Sequence, residues 1–197
     1  MNSPDFLSKE ELSSLLGRTV NPFDFHKILS AYEFAENAFH DDVFHNTNPL
    51  WFHVTRVTRI LIEELNIQDA DLLCCSLLFK ISQSKEGFSR EIIELNFGSY
   101  SALMLDYLSN ESFSPKEFFA NALSLEQFNA LPVNDILIIH LADCLDNLRN
   151  FSSDLANVKH DVFRKTASLI KLPVHIKNEN INRLLDEIKF ERNKIFG

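Results

Sequence analysis

Glycine is scarce in this chain, with Gly17, Gly87, Gly98 and Gly197 the only four among 197 residues. Sheets rely on glycine for tight turns and bulges, so this scarcity excludes a sheet-rich fold and predicts an all-α domain. Cysteine is as sparse. Cys74, Cys75 and Cys144 are odd in number, two are adjacent, and all lie in apolar stretches. That excludes a disulfide framework and predicts reduced packing residues in a reducing compartment. Basic residues are outnumbered, 19 Lys and Arg against 28 Asp and Glu, for a formal charge of -9. A net-acidic surface repels phosphate backbones, so no nucleic-acid partner is expected. Long apolar runs are missing too. The longest, Leu72 to Phe79 around Ser76, is far short of the ~20 residues needed to span a bilayer. The N-terminus, Met1-Asn2-Ser3-Pro4-Asp5 followed by Lys9-Glu10-Glu11, has neither the basic nor the apolar region of a secretory signal. A cytoplasmic protein with no membrane partner is expected.

The remainder is ordinary globular composition, 45% hydrophobic and 24% charged, and the length suits a single helical domain over residues 1–197. Prolines mark helix starts, because a first-turn proline gives up an N–H that has no intrahelical partner. Asn21-Pro22 opens a helix to about Phe39, and Asn48-Pro49 opens one to about Leu65. Ser114-Pro115-Lys116-Glu117 joins a Ser cap to a capping-box Glu, and Ser3-Pro4 suggests a short N-terminal helix. In the Pro49 helix, Trp51, Val54, Val57, Leu61 and Leu65 recur at spacings of three and four, a buried stripe. Asp69 to Ser82 is apolar nearly all round and reads as a central helix. Ser89 to Asn96 is a short helix stopped by Gly98, with Ser99 to Leu108 following. Asn134 to about Arg149, Asp154 to Leu172 and Asn180 to Ile195 complete the helices. Cys74, Leu77, Leu78, Ile138 and Leu141 are the expected core.

Polar residues inside apolar helices are the informative exceptions, since burying them unpaired is costly. Asp143 and Asn147 stand four apart and share one helix face. His53 lies in the first turns of the Pro49 helix. Each is either a paired core group or part of a pocket.

Their order and surroundings add to this. Ala31-Tyr32-Glu33-Phe34-Ala35-Glu36-Asn37-Ala38, Asn48-Pro49-Leu50-Trp51-Phe52-His53, Ser76-Leu77-Leu78, Ile93-Glu94-Leu95-Asn96-Phe97-Gly98 and Ile138 through Leu141-Ala142-Asp143-Cys144-Leu145-Asp146-Asn147-Leu148-Arg149 together resemble the HD hydrolase domain of the RelA/SpoT type, including its small stand-alone members. The resemblance runs from about Ala31 to Arg149 and leaves no room for the family's synthetase domain. It implies a compact HD-domain-like helical bundle in which the Pro49, Asp69 and Asn134 helices converge on one site. The family removes the 3′-pyrophosphate of ppGpp with one divalent metal, typically manganese. Its metal is held by a His, a His-Asp pair and a later Asp, and a Glu-Asp pair acts on the attacking water.

Carried over, the first ligand matches His53, the last matches Asp143, and the ligand-contacting Asn matches Asn147. The His-Asp pair falls on Phe79-Lys80 and the Glu-Asp pair on Gln83-Ser84. Phe44 stands where the family has an arginine that packs on guanine, and Asn46-Thr47-Asn48 replaces its Ser-Gly-Glu. A hard divalent cation wants about six mostly oxygen ligands, and two protein ligands with a lysine between them hold it poorly. The resemblance therefore implies a domain of the stringent-response type with no metal, no cofactor and no catalytic residue. Its vestigial pocket of His53, Lys80, Asp143 and Asn147 would bind a guanine nucleotide, or the domain would bind a protein partner. In that pocket Phe79 is expected to fill the volume of the lost histidine, Asp143 to remain beside His53, and the Lys80 ammonium to take the ion's electrostatic place beside Asp143. The alternative is a manganese-dependent phosphohydrolase with a rearranged site using His40, Asp41 or Asp42, with His45 nearby. His160-Asp161 follows the Asp143 helix, the wrong order for a ligand set, and His26 and His175 have no partner assignable from sequence. A third reading is an interaction module presenting phenylalanines such as Phe118 and Phe119.

Overall fold

Helix starts in this chain are set by side chains that accept the orphan N–H groups of a first turn. A computed structural model describes residues 6–44, 48–84, 88–109, 133–150 and 178–196. It divides into two compact units, Met1–Glu111 and Ser112–Gly197. The first unit begins with α1, Lys9–Leu16, under a full capping box: the Glu11 N–H donates to Ser8 Oγ at 3.2 Å and the Ser8 N–H to Glu11 Oε2 at 2.9 Å. No proline marks this helix. The Ser3-Pro4 helix start expected from the sequence lies outside the described residues.

Helix α2, Pro22–Phe39, starts as expected under Asn21, whose side chain accepts the Asp24 N–H at 3.0 Å. A two-residue antiparallel ribbon follows, β1 Val43–Phe44 and β2 Asn48–Pro49. It is the only sheet among the described residues, and helices dominate the rest. Helix α3, Leu50–Arg59, runs into a π turn at Ile60–Glu64, closed by the Leu65 N–H on the Ile60 carbonyl at 3.2 Å. The widened turn lets Ile60, Leu61 and Ile62 all go under cover. Asn66, with φ 53°, then reverses the chain in a left-handed conformation that asparagine tolerates.

Helix α4, Ala70–Leu78, is capped by Asp69, which accepts the Leu72 N–H at 2.9 Å, and packs against α2 and α3. It is shorter than the single helix expected to Ser82. Lys80 leaves helical geometry (φ -98°, ψ 10°) and a 3-10 turn takes Ile81–Gln83. The Ser84 hydroxyl donates to the Ala38 carbonyl at 2.9 Å, pinning this stretch to the end of α2. Helix α5, Arg90–Leu108, also touches α4 and is broken at Gly98, whose φ of 89° and ψ of 164° are not helical. Arg90 and Asp106 form an ion pair. Sixteen helical residues would hold them ~24 Å apart, so residues 90–97 and 99–108 are two helices meeting at a sharp bend, the division read from the sequence.

In the second unit, α6, Val133–Arg149, packs on α7, Glu179–Phe196. Both match expectation. The Ser114-Pro115 and Asp154–Leu172 helices lie outside the described residues, as do Phe118, Phe119 and His175. Cys74, Leu77, Leu78, Ile138 and Leu141 are at most 3% exposed, and burial pushes the Cys74 thiol up to about 12, which suits a packing residue. No helix among the described residues is long and apolar enough to cross a membrane.

Gly98 generates a direct test. A Cβ there would meet no atom within 4 Å, so Gly98→Ala changes backbone strain and nothing else. Its dihedrals fall in a region that only glycine occupies readily, and we expect a loss of ~1–3 kcal/mol in urea unfolding. Unchanged stability would show that the bend does not require glycine.

Candidate functional site

His53 enters the first unit's core because it lies on the buried face of α3, one turn after Leu50, and it is fully shielded from solvent. Its ring lies against that of Phe79, the residue that ends α4, with centroids 5.7 Å apart and planes at 58°. Phe79 is buried as well. Next in the chain, the Lys80 ammonium stands over the Phe79 ring, 4.8 Å from its centroid, a cation–π contact. The order is imidazole, phenyl ring, ammonium.

The register that brings His53 to Phe79 is fixed by a second α3–α4 contact. Thr58 Oγ1 and Ser76 Oγ lie 2.9 Å apart in a fully buried hydroxyl pair. Each hydroxyl also reaches a carbonyl of its own helix, Thr58 to Val54 at 3.0 Å and Ser76 to Leu73 at 2.8 Å. The sequence reading overlooked Thr58. Its signal was a hydroxyl directly after Val57 in the buried stripe, facing a helix whose apolar run from Leu72 to Phe79 is interrupted only by Ser76.

In the second unit, Asn147 Nδ2 donates to Asp143 Oδ1 at 2.8 Å across one turn of α6, so the two share a face as their spacing implied. Both are partly exposed. Asp146, by contrast, is buried and accepts from Asn150 Nδ2 at 2.9 Å. Arg149, at the end of α6, pairs with Glu187 of α7 at 3.3 Å. Within the first unit His53 and Lys80 both approach Phe79, and within the second Asp143 and Asn147 approach each other.

The chemistry beside His53 does not fit a divalent cation. The phenyl ring beside His53 offers no donor atom, and the next side chain is itself cationic. Among the described residues no three His, Cys, Asp or Glu side chains gather as a metal would need. His40 and Asp41 are exposed. Asp42 is buried, with its N–H on the Phe39 carbonyl at 3.1 Å and its carbonyl accepting the Leu50 N–H at 2.8 Å. The segment is therefore less solvated than its composition suggests. His26 is exposed beside Phe25. His45, His160 and Asp161 lie outside the described residues.

No protein-family profile matches the chain, and no curated protein matches it. Among solved structures, a metazoan ortholog of SpoT, reported to hydrolyze ppGpp and to play a role in starvation responses, superposes with a TM-score of 0.62. The two are 22% identical over 84% of this chain and 95% of that one. The chain therefore shares with that structure an all-α, HD-domain-like fold.

Phe79 fills the space beside His53 with atoms that a smaller side chain would not replace. Phe79→Ala should cost ~3–5 kcal/mol in chemical denaturation. A loss below ~1 kcal/mol, the scale of a surface change, would mean that the ring is not a structural plug.

Proposed function

We propose that the protein is a degenerate relative of the RelA/SpoT-type hydrolases that binds a guanine nucleotide such as ppGpp without cleaving it. The observation that carries this reading is the Phe79–Lys80 pair. A phenyl ring packed on His53 and an ammonium over that ring stand where, by the sequence resemblance, the family has its His-Asp metal ligands. Gln83 and Ser84 stand for the acidic pair that acts on water, so the general base is missing as well as the metal. Without a bound divalent ion, nothing polarises the phosphoryl group or makes water nucleophilic at neutral pH.

Binding needs less than catalysis. An ammonium carries three donors and suits phosphate as a point charge. Lys80 belongs to a chain whose net charge is -9, so a local cation matters for an anionic ligand. Asn147, held by Asp143 at 2.8 Å, presents an oriented amide. The fold shared with a protein reported to hydrolyze ppGpp makes a guanine nucleotide the first ligand to try.

Thermal shift with ppGpp, GDP, GTP and manganese tests it, because a ligand that binds only the folded state raises the melting temperature. The expected result is a rise with ppGpp that needs no manganese, and no rise with manganese alone. At a hundred times the dissociation constant the gain is ~2.7 kcal/mol, several degrees for a chain of this size. The double variant Phe79→His, Lys80→Asp should acquire a manganese-dependent rise that the natural chain lacks. A manganese shift in the natural chain would overturn the degenerate reading. Silence to every nucleotide at millimolar concentration would reject nucleotide binding and favour a protein-binding module.

A further inference from the structure

One face of α3, pointing away from the His53 contact, grips an extended piece of main chain. Phe52, Thr55 and Arg59 recur at spacings of three and four and so line that face. Arg59 Nη2 donates to the Phe6 carbonyl at 3.0 Å, and the Leu7 N–H donates to Thr55 Oγ1 at 3.3 Å. Both poles of the peptide group joining Phe6 to Leu7 are therefore held by side chains. The Thr55 hydroxyl donates to the Phe52 carbonyl at 3.0 Å, which leaves its lone pairs to accept. From α2, the Tyr32 hydroxyl donates to the Leu7 carbonyl at 3.0 Å. Phe6 stacks on Phe52 at 4.6 Å and 18°, and Leu7 is fully buried. Four residues further on, Glu11 reaches the same Arg59 nitrogen at 2.8 Å.

Main-chain groups are usually satisfied by a neighbouring strand or helix. Here side chains of two other helices satisfy them, as in the recognition of an extended peptide. The gripped segment leads into α1, which has eight residues and is too short to persist once detached. Release would therefore melt α1 and expose Leu7, Leu12 and Leu16, and the conformational freedom gained would offset part of that cost. The platform is better anchored, since α2 and α3 both pack on the buried helix α4.

We propose that this face is a peptide-docking site, with Phe6–Glu11 as its occupant, an intramolecular ligand that detaches together with α1 while α2, α3 and α4 stay folded. The motif it reads is aromatic–leucine followed, four residues after the leucine, by a carboxylate. This inference is independent of the nucleotide reading.

Two measurements on the full chain test it. In native-state hydrogen exchange, amides of residues 12–16 should exchange about ten-fold or more faster than those of residues 73–77, through a local opening. Equal protection would overturn the proposal. In the second, Leu7→Ser weakens the occupant and leaves the docking face intact. A labelled peptide with the sequence of residues 6–16 should bind that variant about ten-fold or more tighter than the natural chain, where the occupant competes. Adding Arg59→Met should abolish this binding. Three outcomes would contradict detachment: no binding to a Leu7→Ser chain with protected α4 amides, binding indifferent to Arg59→Met, or loss of α4 protection in Leu7→Ser itself.

Discussion

Eight consecutive residues, Leu72 to Phe79, are shielded from water, and a helix apolar on every side can be stable only if other helices enclose it. That requirement organises the first unit. Helices α2, α3 and α5 all pack on α4. The one polar side chain within that buried run, Ser76, can be buried because Thr58 of α3 is there to meet it. Because this buried pair fixes how α3 lies on α4, it also fixes which α3 residue meets the end of α4, and that residue is His53.

At that end an apolar ring completes the core beside His53. Phe79 extends the buried run of α4 by one residue, and Lys80 follows with its ammonium over the ring. Filling the space suits stability, since a void beside His53 would forfeit dispersion contacts. The same helix pair thus explains the firmness of the unit. Arg59, on another face of α3, ties the N-terminal segment to this frame through Phe6 and Glu11.

Helix positions were largely legible in the sequence, because caps and apolar periodicity are local signals. Asn21-Pro22, Asp69 and Ser89 each start a helix where expected. Gly98 was read as a break, and its positive φ is the reason. What escaped is non-local. The shortening of α4 depends on Ser84 reaching Ala38, and the grip on Phe6 and Leu7 depends on Tyr32, Thr55 and Arg59 converging from two helices. The site was legible in part. The spacing of Asp143 and Asn147 gave their shared face, to which the structure adds the hydrogen bond between them. The approach of Phe79 to His53 could be expected only through the family resemblance, since no local pattern links residues 26 positions apart.

The central claim is that the ring and ammonium at positions 79 and 80 have ended phosphohydrolysis in a fold that supports it elsewhere. Phosphorus NMR of ppGpp incubated with the purified protein and manganese tests this most directly, because the 3′-diphosphate resonances disappear as the bond is cleaved. The account predicts that they persist at the protein-free rate. Manganese-dependent conversion to GDP and pyrophosphate, abolished by chelation, would contradict it.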